Sequence, residues 1–302
     1  MSDESTLTSR IGFIGLGAMG TPMAWNLEEA GYSLGVYNRT AAEMESFVEA
    51  GAEAFDSPQA LASESDVLIT MVTGPDALRA VVLGDEGAVH GVGNGDILIN
   101  TSTVSRTATT DVADQVREAG GGFVDAPVLG TVGPAERGEL LVLAGAEAAV
   151  LDDVHPVLEV FGDVRHVGDV GDGTGMKLTA NLLLGVMMEG FSEALAFADG
   201  QDLPLEDVLE VIQTGVLGAP LFDYKAPAVR ERDFDPQFPV DLLFKDLNLV
   251  LDAGGETEVP LPATAATREA ANATRSLGHG AEDMMALLKH LESVTGRTVG
   301  TD

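Results

Sequence analysis

The chain has 302 residues, 45% of them hydrophobic, which is enough for a large core and, by length, for two domains. Its 49 acidic and 16 basic residues give a formal net charge of −33, a balance that excludes the basic, phosphate-neutralising surface a nucleic-acid partner needs. There is no cysteine, which excludes disulfides, thiolate catalysis and cysteine-ligated metal.

The acidic residues are dispersed along the chain, so its compact state repels itself at low salt and is relieved where the Debye length falls to about 3 Å, near 1 M. This reads as a halophilic protein of a salt-rich cytoplasm. The five histidines have no paired spacing, and no metal site is expected. The leader MSDESTLTSR is polar, and no run reaches roughly 18 apolar residues without interruption. A cytoplasmic protein without a membrane partner is expected.

In chain order, Ile11 to Ile14 reads as a buried strand that feeds directly into Gly15-Leu16-Gly17-Ala18-Met19-Gly20, followed by a helix from Thr21 to Ala30 and by Gly31. A G-x-G-x-x-G run between a strand and a helix is the dinucleotide-binding pattern. Its glycines permit a tight turn and let a pyrophosphate reach backbone N–H groups at the helix N-terminus. A second strand, Leu34 to Tyr37, ends at Asn38-Arg39-Thr40, where an NAD site places Asp or Glu for the ribose 2′-hydroxyl. The missing carboxylate and the planar fork of Arg39 favour NADP, with NAD possible; the competing reading makes Arg39 a solvated loop residue.

Further strands are expected at Ala52 to Phe55, Asp66 to Val72, Ile97 to Thr101, Phe123 to Asp125, Leu140 to Ala144 and Val164 to Gly168. Strands alternating with helices predict an α/β, doubly wound parallel sheet of Rossmann type, with ligands at the carboxyl ends of its strands. Met71, Val72 and Thr103 fall at such ends and are candidates to line the nicotinamide half of the cofactor. Leu129-Gly130-Thr131 forms a glycine-containing loop that is either an anion cradle of backbone N–H groups or an ordinary turn.

Beyond Gly173 every segment reads helical, so a boundary is placed near residue 170. Residues 1–170 would form the nucleotide-binding domain, and residues 171–302 an all-helical one for substrate binding and dimerisation, joined to the first through a long interdomain helix. That helix, GDGTGMKLTANLLLGVMMEGFSEALAFADG from Gly171, is apolar almost all round and is expected to be buried on every side. Lys177 and Asn181 share one of its faces at spacing i, i+4. A buried ammonium is costly unless paired or working, and the chain has only four lysines. The plainer alternative is a lysine snorkelling from a helix end.

Four stretches together, IGFIGLGAMGTPMAWNL from Ile11, DAPVLGTVGPAERGELLVLAG from Asp125, GTGMKLTAN from Gly173 and FPVDLLFKDLNL from Phe238, resemble the β-hydroxyacid dehydrogenases, and GHGAED from Gly278 is similar to a fifth family motif. That family includes 3-hydroxyisobutyrate dehydrogenase, tartronate semialdehyde reductase and glyoxylate/succinic semialdehyde reductase, and shares the 6-phosphogluconate dehydrogenase type of NAD-binding domain. The resemblance implies that Lys177 is the catalytic lysine and Asn181 its companion amide, that Thr103 contacts nicotinamide and substrate, and that Lys245 is the lysine of the K-D-L motif, serving cofactor and substrate. It also implies that Leu129-Gly130-Thr131 is the substrate loop. Where dehydrogenases of the family commonly have Ser-Gly-Gly, this loop resembles the glyoxylate and succinic semialdehyde reductases, whereas GAPLFDYKAPAVRERDF from Gly218 resembles tartronate semialdehyde reductase. The implied activity is an NADP-dependent interconversion of a small carboxylated aldehyde or ketone with its hydroxy acid, by a homo-oligomer, a dimer or tetramer. Two alternatives are an imine reductase on the same fold, which would not be expected to carry lysine at the proton-donor position, and a non-catalytic NADP-binding protein, whose signature would be loss of Lys177.

Overall fold

In a computed structural model that describes residues 9–300, the branched apolar runs form strands because a sheet covered on both faces can bury them completely. The first half alternates as expected: β1 (Arg10–Ile14), α1 (Gly20–Glu29), β2 (Ser33–Tyr37), α2 (Glu45–Ala50), β3 (Glu53–Ala54), α3 (Pro58–Ala62), β4 (Val67–Thr70), α4 (Pro75–Leu83) and β5 (Ile97–Asn100). It continues with α5 (Arg106–Glu118), β6 (Gly122–Asp125), β7 (Val128–Leu129), α6 (Val132–Glu136), β8 (Leu140–Gly145), α7 (Ala148–Glu159) and β9 (Gly162–Gly168).

Strand order is β3-β2-β1-β4-β5-β6-β8-β7, with β9 pairing β8. The pairs from β3 to β6 are parallel, and the order reverses between β1 and β4, which is where such sheets bind nucleotides. The far edge departs from the all-parallel expectation. β8 runs antiparallel to β6 and to β7, and β9 is parallel to β8. The two-residue strand β7 holds Leu129, a position expected in a loop; it forms because Val128 and Leu129 pair with Val142 and Leu141. Period two sends Phe13, Ile69, Ile99 and Val124 to one face of the sheet and Ile14, Leu68, Leu98 and Phe123 to the other, where each set joins a buried cluster.

After β9 the described chain is helical: α8 (Asp172–Asp199), α9 (Leu205–Thr214), α10 (Pro220–Glu231), α11 (Val240–Glu256), α12 (Pro262–Ser276) and α13 (Leu287–Thr295). The single β-bridge there, Pro239 to Asp283, lies outside the sheet. The chain divides into two units after Leu178, so α8 begins in the first and ends in the second. By length and composition α8 is long and apolar enough to cross a membrane, but Met188, Phe191 and Leu195 pack with Leu243, Leu247 and Met285 in the core of the second unit. The expectation of a helix buried on every side is not met. Met176, Leu183 and Phe197 are exposed, Phe197 to 71%; an apolar composition does not by itself give a helix neighbours on each face.

α11 is held at its start by a buried ion pair. The Asp283 carboxylate accepts both bonds from Lys225 Nζ at 2.8 Å and those of the Gln237 and Phe238 N–H groups at 3.1 Å.

Candidate active site

The glycine run between β1 and α1 is fixed by close approach. Gly15 has φ +102°, and a Cβ there would lie 2.2 Å from the Met71 carbonyl oxygen; at Gly20 it would lie 1.9 Å from that of Gly15. Both positions are therefore closed to a side chain, and the loop lies against Met71 and Val72 at the end of β4. Gly17 is the opposite case, since a Cβ built there meets nothing within 4 Å. It faces a groove of about 550 Å³ lined by Leu16, Gly17, Ala18, Thr21, Asn38 and Thr40 together with Glu43, Val132 and Glu136. The N-cap of α1, Met19, makes no side-chain cap, and the first turn holds no acidic residue, so the positive end of the helix is left to a ligand anion. Room at Gly17, closure at Gly15 and Gly20 and an acid-free helix start fit a dinucleotide pyrophosphate.

Asn38 braces this loop. Its Oδ1 accepts from Leu16 N–H at 3.0 Å and its Nδ2 donates to the Thr40 carbonyl at 3.1 Å, so the side chain expected to touch cofactor is engaged in shaping the groove. Arg39 beside it is exposed. Among the described residues every other arginine forms an ion pair, and Arg39 forms none.

At the neighbouring strand ends, Val72 N–H donates to Ser102 Oγ at 2.9 Å, joining the segments that carry Met71, Val72 and the half-buried Thr103. Of the substrate loop, Leu129 ends β7, Gly130 is exposed with φ +142°, and Thr131 is the N-cap of α6. The residue after it, Val132, already lines the groove; the anchor is Asn26 Nδ2, which donates to the Ala135 carbonyl at 2.7 Å.

Lys177 is 8% exposed. The helix that carries it starts against the ends of β6 and β8. A Cβ on Gly173 would sit 2.4 Å from the Asp125 carbonyl oxygen and 2.5 Å from that of Leu143. The fully buried Asp125 carboxylate caps this start. Its Oδ2 accepts from Thr174 N–H at 2.7 Å and Gly171 N–H at 3.1 Å, and its Oδ1 from Thr174 Oγ1 at 2.7 Å. Burial pushes the Asp125 carboxyl up to about 6, against the lowering effect of these bonds and of Arg106.

One turn beyond Lys177 on α8, in the second unit, Asn181 is buried and its Nδ2 donates to Asp246 Oδ2 at 2.6 Å. A carboxylate can only accept here, which fixes the amide orientation, and Asn181 Oδ1 has no hydrogen-bond partner among the described residues. Lys245 Nζ lies 2.9 Å from Asp246 Oδ1. Asp246 thus joins the two residues expected in the site, a role not read from the sequence although it is the Asp of the K-D-L motif. Asp125 was likewise not read as a site residue.

A family model described as the NAD binding domain of 6-phosphogluconate dehydrogenase matches residues 10–171. The chain belongs to the β-hydroxyacid dehydrogenase family. A second model, described as NAD-binding of NADP-dependent 3-hydroxyisobutyrate dehydrogenase, matches residues 171–291. Similar proteins include glyoxylate/succinic semialdehyde reductase 1 of Arabidopsis thaliana, 35% identical with 92% of this chain and 97% of that one covered. Another is 2-(hydroxymethyl)glutarate dehydrogenase of Eubacterium barkeri, 37% identical with 96% and 97% covered. Among solved structures, 3-hydroxyisobutyrate dehydrogenase of Mycobacterium tuberculosis with L-serine has a TM-score of 0.87 at 26% identity, with 94% and 99% covered. This family member is an NAD(P)-dependent hydroxyacid oxidoreductase.

Proposed function

We propose that this enzyme uses NADPH to reduce a small carboxylated aldehyde or ketone to its hydroxy acid, reversibly, with Lys177 as proton donor. The observation that carries this reading is Lys177 itself: a buried lysine, in a chain with four, just past a helix start pinned by a buried carboxylate. The bound cofactor supplies hydride to the carbonyl carbon. As ammonium, Lys177 gives its proton to the carbonyl oxygen as negative charge develops there, and as amine it takes the proton back in the oxidative direction; such general acid–base help contributes about 10² to 10⁴-fold. Asn181 Oδ1, with no hydrogen-bond partner among the described residues, accepts from the lysine or from the nascent hydroxyl, while Asp246 holds the amide. The Leu129-Gly130-Thr131 loop and Lys245 hold the substrate carboxylate, and Thr103 orients the reacting end. Holding the reactants in place with these groups lowers the barrier more than the proton transfer does.

NADP over NAD is supported by Arg39, exposed and outside every ion pair among the described residues, at the position where an acidic residue would select NAD. The reading includes a nucleotide domain up to about residue 170, a helical substrate and dimerisation domain from 171 to 302, and a salt-rich cytoplasm; the partner is a small molecule rather than nucleic acid or a membrane. Exposed Leu183, Phe197, Val211, Val216 and Leu217 support a homo-oligomer, dimer or tetramer. Turnover of glyoxylate, succinic semialdehyde and tartronate semialdehyde, and of 3-hydroxyisobutyrate in reverse, measured with both cofactors in high salt, tests the reading. No reduction of any carboxylated aldehyde by the wild type, or wild-type turnover by Lys177→Ala, would overturn it.

A further inference from the structure

We propose that Asp125 is a positioning residue for the reaction: its buried carboxylate locks the first turn of α8 and thereby sets where Lys177 stands. The inference rests on the proton-donor reading of Lys177 and adds to it a residue 52 positions away in sequence.

The first turn of α8 is poorly fitted to hold itself. It contains Gly173 and Gly175, and glycine is among the weakest helix formers because its backbone loses the most freedom on ordering. Its opening N–H groups have no partners within the helix. A serine or threonine N-cap would ordinarily satisfy one of them. Here a single carboxylate at the end of β6 collects three donors, the Gly171 and Thr174 N–H groups and Thr174 Oγ1. Thr174 Oγ1 is also 2.9 Å from Thr109 Oγ1 on α5, so the turn is tied to a strand and a helix together. The Gly173 backbone is pressed against the Asp125 and Leu143 carbonyls at distances no side chain would allow. An Arg106–Asp172 pair at 2.7 Å adds a clamp on the exposed side, where such pairs contribute little.

Thr174 and Lys177 are three residues apart and so lie on neighbouring parts of one helical face. A shift of Thr174 therefore moves Lys177 with it, and a reacting group displaced by about 1 Å can lose on the order of 10²-fold in rate. The carboxylate sits at the positive end of the helix dipole, which favours it, but it is fully buried, an expensive location for an acid. One group answering three donors across two elements is what that location provides.

The test compares Asp125→Ala, Asp125→Asn, Thr174→Val and Thr174→Ser with Lys177→Ala, each assayed well below its unfolding temperature, with NADPH binding measured separately by fluorescence titration. Asp125→Ala is expected to lower kcat by about 30- to 100-fold while NADPH affinity stays within about threefold, because the nucleotide groove uses other residues. Asp125→Asn should retain most of the turnover, since its oxygen can serve the two N–H groups and its amide can donate to Thr174 Oγ1. Should Asp125→Ala not fold, Thr174→Val decides: about a tenfold loss in kcat, restored by Thr174→Ser, supports the proposal. If Lys177→Ala is inactive while a folded Asp125→Ala, or Thr174→Val where Asp125→Ala does not fold, keeps kcat within about threefold, the cap is structural only and the proposal falls alone. If Lys177→Ala turns over like wild type, the proton-donor reading falls and takes the proposal with it.

Discussion

Gly17→Ala separates folding from cofactor binding at a single atom. Gly17 is not among the glycines with positive φ, so alanine can adopt its backbone conformation, and its Cβ would meet nothing within 4 Å. Reducing the freedom of the unfolded chain should stabilise the protein by about 0.4–1 kcal/mol, or raise Tm by roughly 1–4 °C for a chain of this size. The same methyl projects into the groove lined by Leu16, Ala18 and Thr21, where backbone N–H groups would meet the pyrophosphate. Displacing the phosphate from one such charge-assisted bond costs about 1.5–3 kcal/mol, or about 10- to 150-fold in Kd. Thermal unfolding and NADPH fluorescence titration on the same preparation read both quantities. Weaker binding with an unchanged or higher Tm is the expected result. Wild-type affinity for NADPH would mean that the pyrophosphate does not lie over Gly17, and the assignment of the groove would be wrong. Gly20→Ala is the control with the opposite profile: its Cβ would be 1.9 Å from the Gly15 carbonyl oxygen, so it should lose stability as well.

Arg39→Ala should raise KM for NADPH about 10- to 100-fold and barely change that for NADH; equal changes would show that Arg39 does not read a 2′-phosphate. Lys177→Ala should lower kcat by at least about 10²-fold with NADPH affinity retained, and Lys177→Arg should fail too, because guanidinium does not release a proton near neutral pH; an active arginine variant refutes the lysine mechanism. Glu189 on α8 is buried with His290 Nε2 3.7 Å from its Oε1, and burial, with Glu193 adding, pushes its carboxyl from 4.5 up to about 7. Its contribution to stability is therefore full below the unfolded value and lost as pH rises through 7, a change of about 3 kcal/mol at most. Denaturant unfolding should find Glu189→Gln stabilised relative to wild type at pH 8 and not at pH 4; parallel curves at both would refute the shift.

The parallel core was legible because its strands are buried on both faces and therefore read as short apolar runs, as Val67 to Ile69 and Ile97 to Ile99 do before the polar Thr70 and Asn100 that end them. The expected strand Asp66 to Val72 ran long at its end for a reason invisible in sequence: Val72 N–H leaves the ladder for the Ser102 hydroxyl. β7 was missed because two residues carry no periodicity, and it exists only through pairing with β8. The glycine loop was legible as a tight turn between β1 and α1, whereas the division between close approach at Gly15 and Gly20 and open space at Gly17 emerges only in the fold. The supporting carboxylates were not. Asp125 meets Thr174 across 49 residues and Asp246 meets Asn181 across 65, and a lone Asp at a strand end or after a lysine gives no local sign of a distant partner.

The charge of the chain bears on its cofactor in a way that composition alone does not disclose. A phosphorylated nucleotide approaching a protein of net charge −33 is repelled at long range, and Glu43 and Glu136 on the groove add to this nearby. The Debye length falls from about 30 Å at 0.01 M salt to about 3 Å at 1 M, so in a salt-rich medium that repulsion is confined to groups almost in contact. Binding then depends on contact geometry, in the proposed reading on backbone N–H groups at the start of α1 and on the exposed Arg39 guanidinium. With acids in threefold excess, the other arginines have acquired carboxylate partners. An arginine already held by a carboxylate must surrender that bond to take a phosphate, and much of the gain cancels. Arg39 has no such bond to surrender among the described residues, so if it meets a 2′-phosphate, as proposed, the full difference between a hydrated and a phosphate-bound guanidinium is available to it.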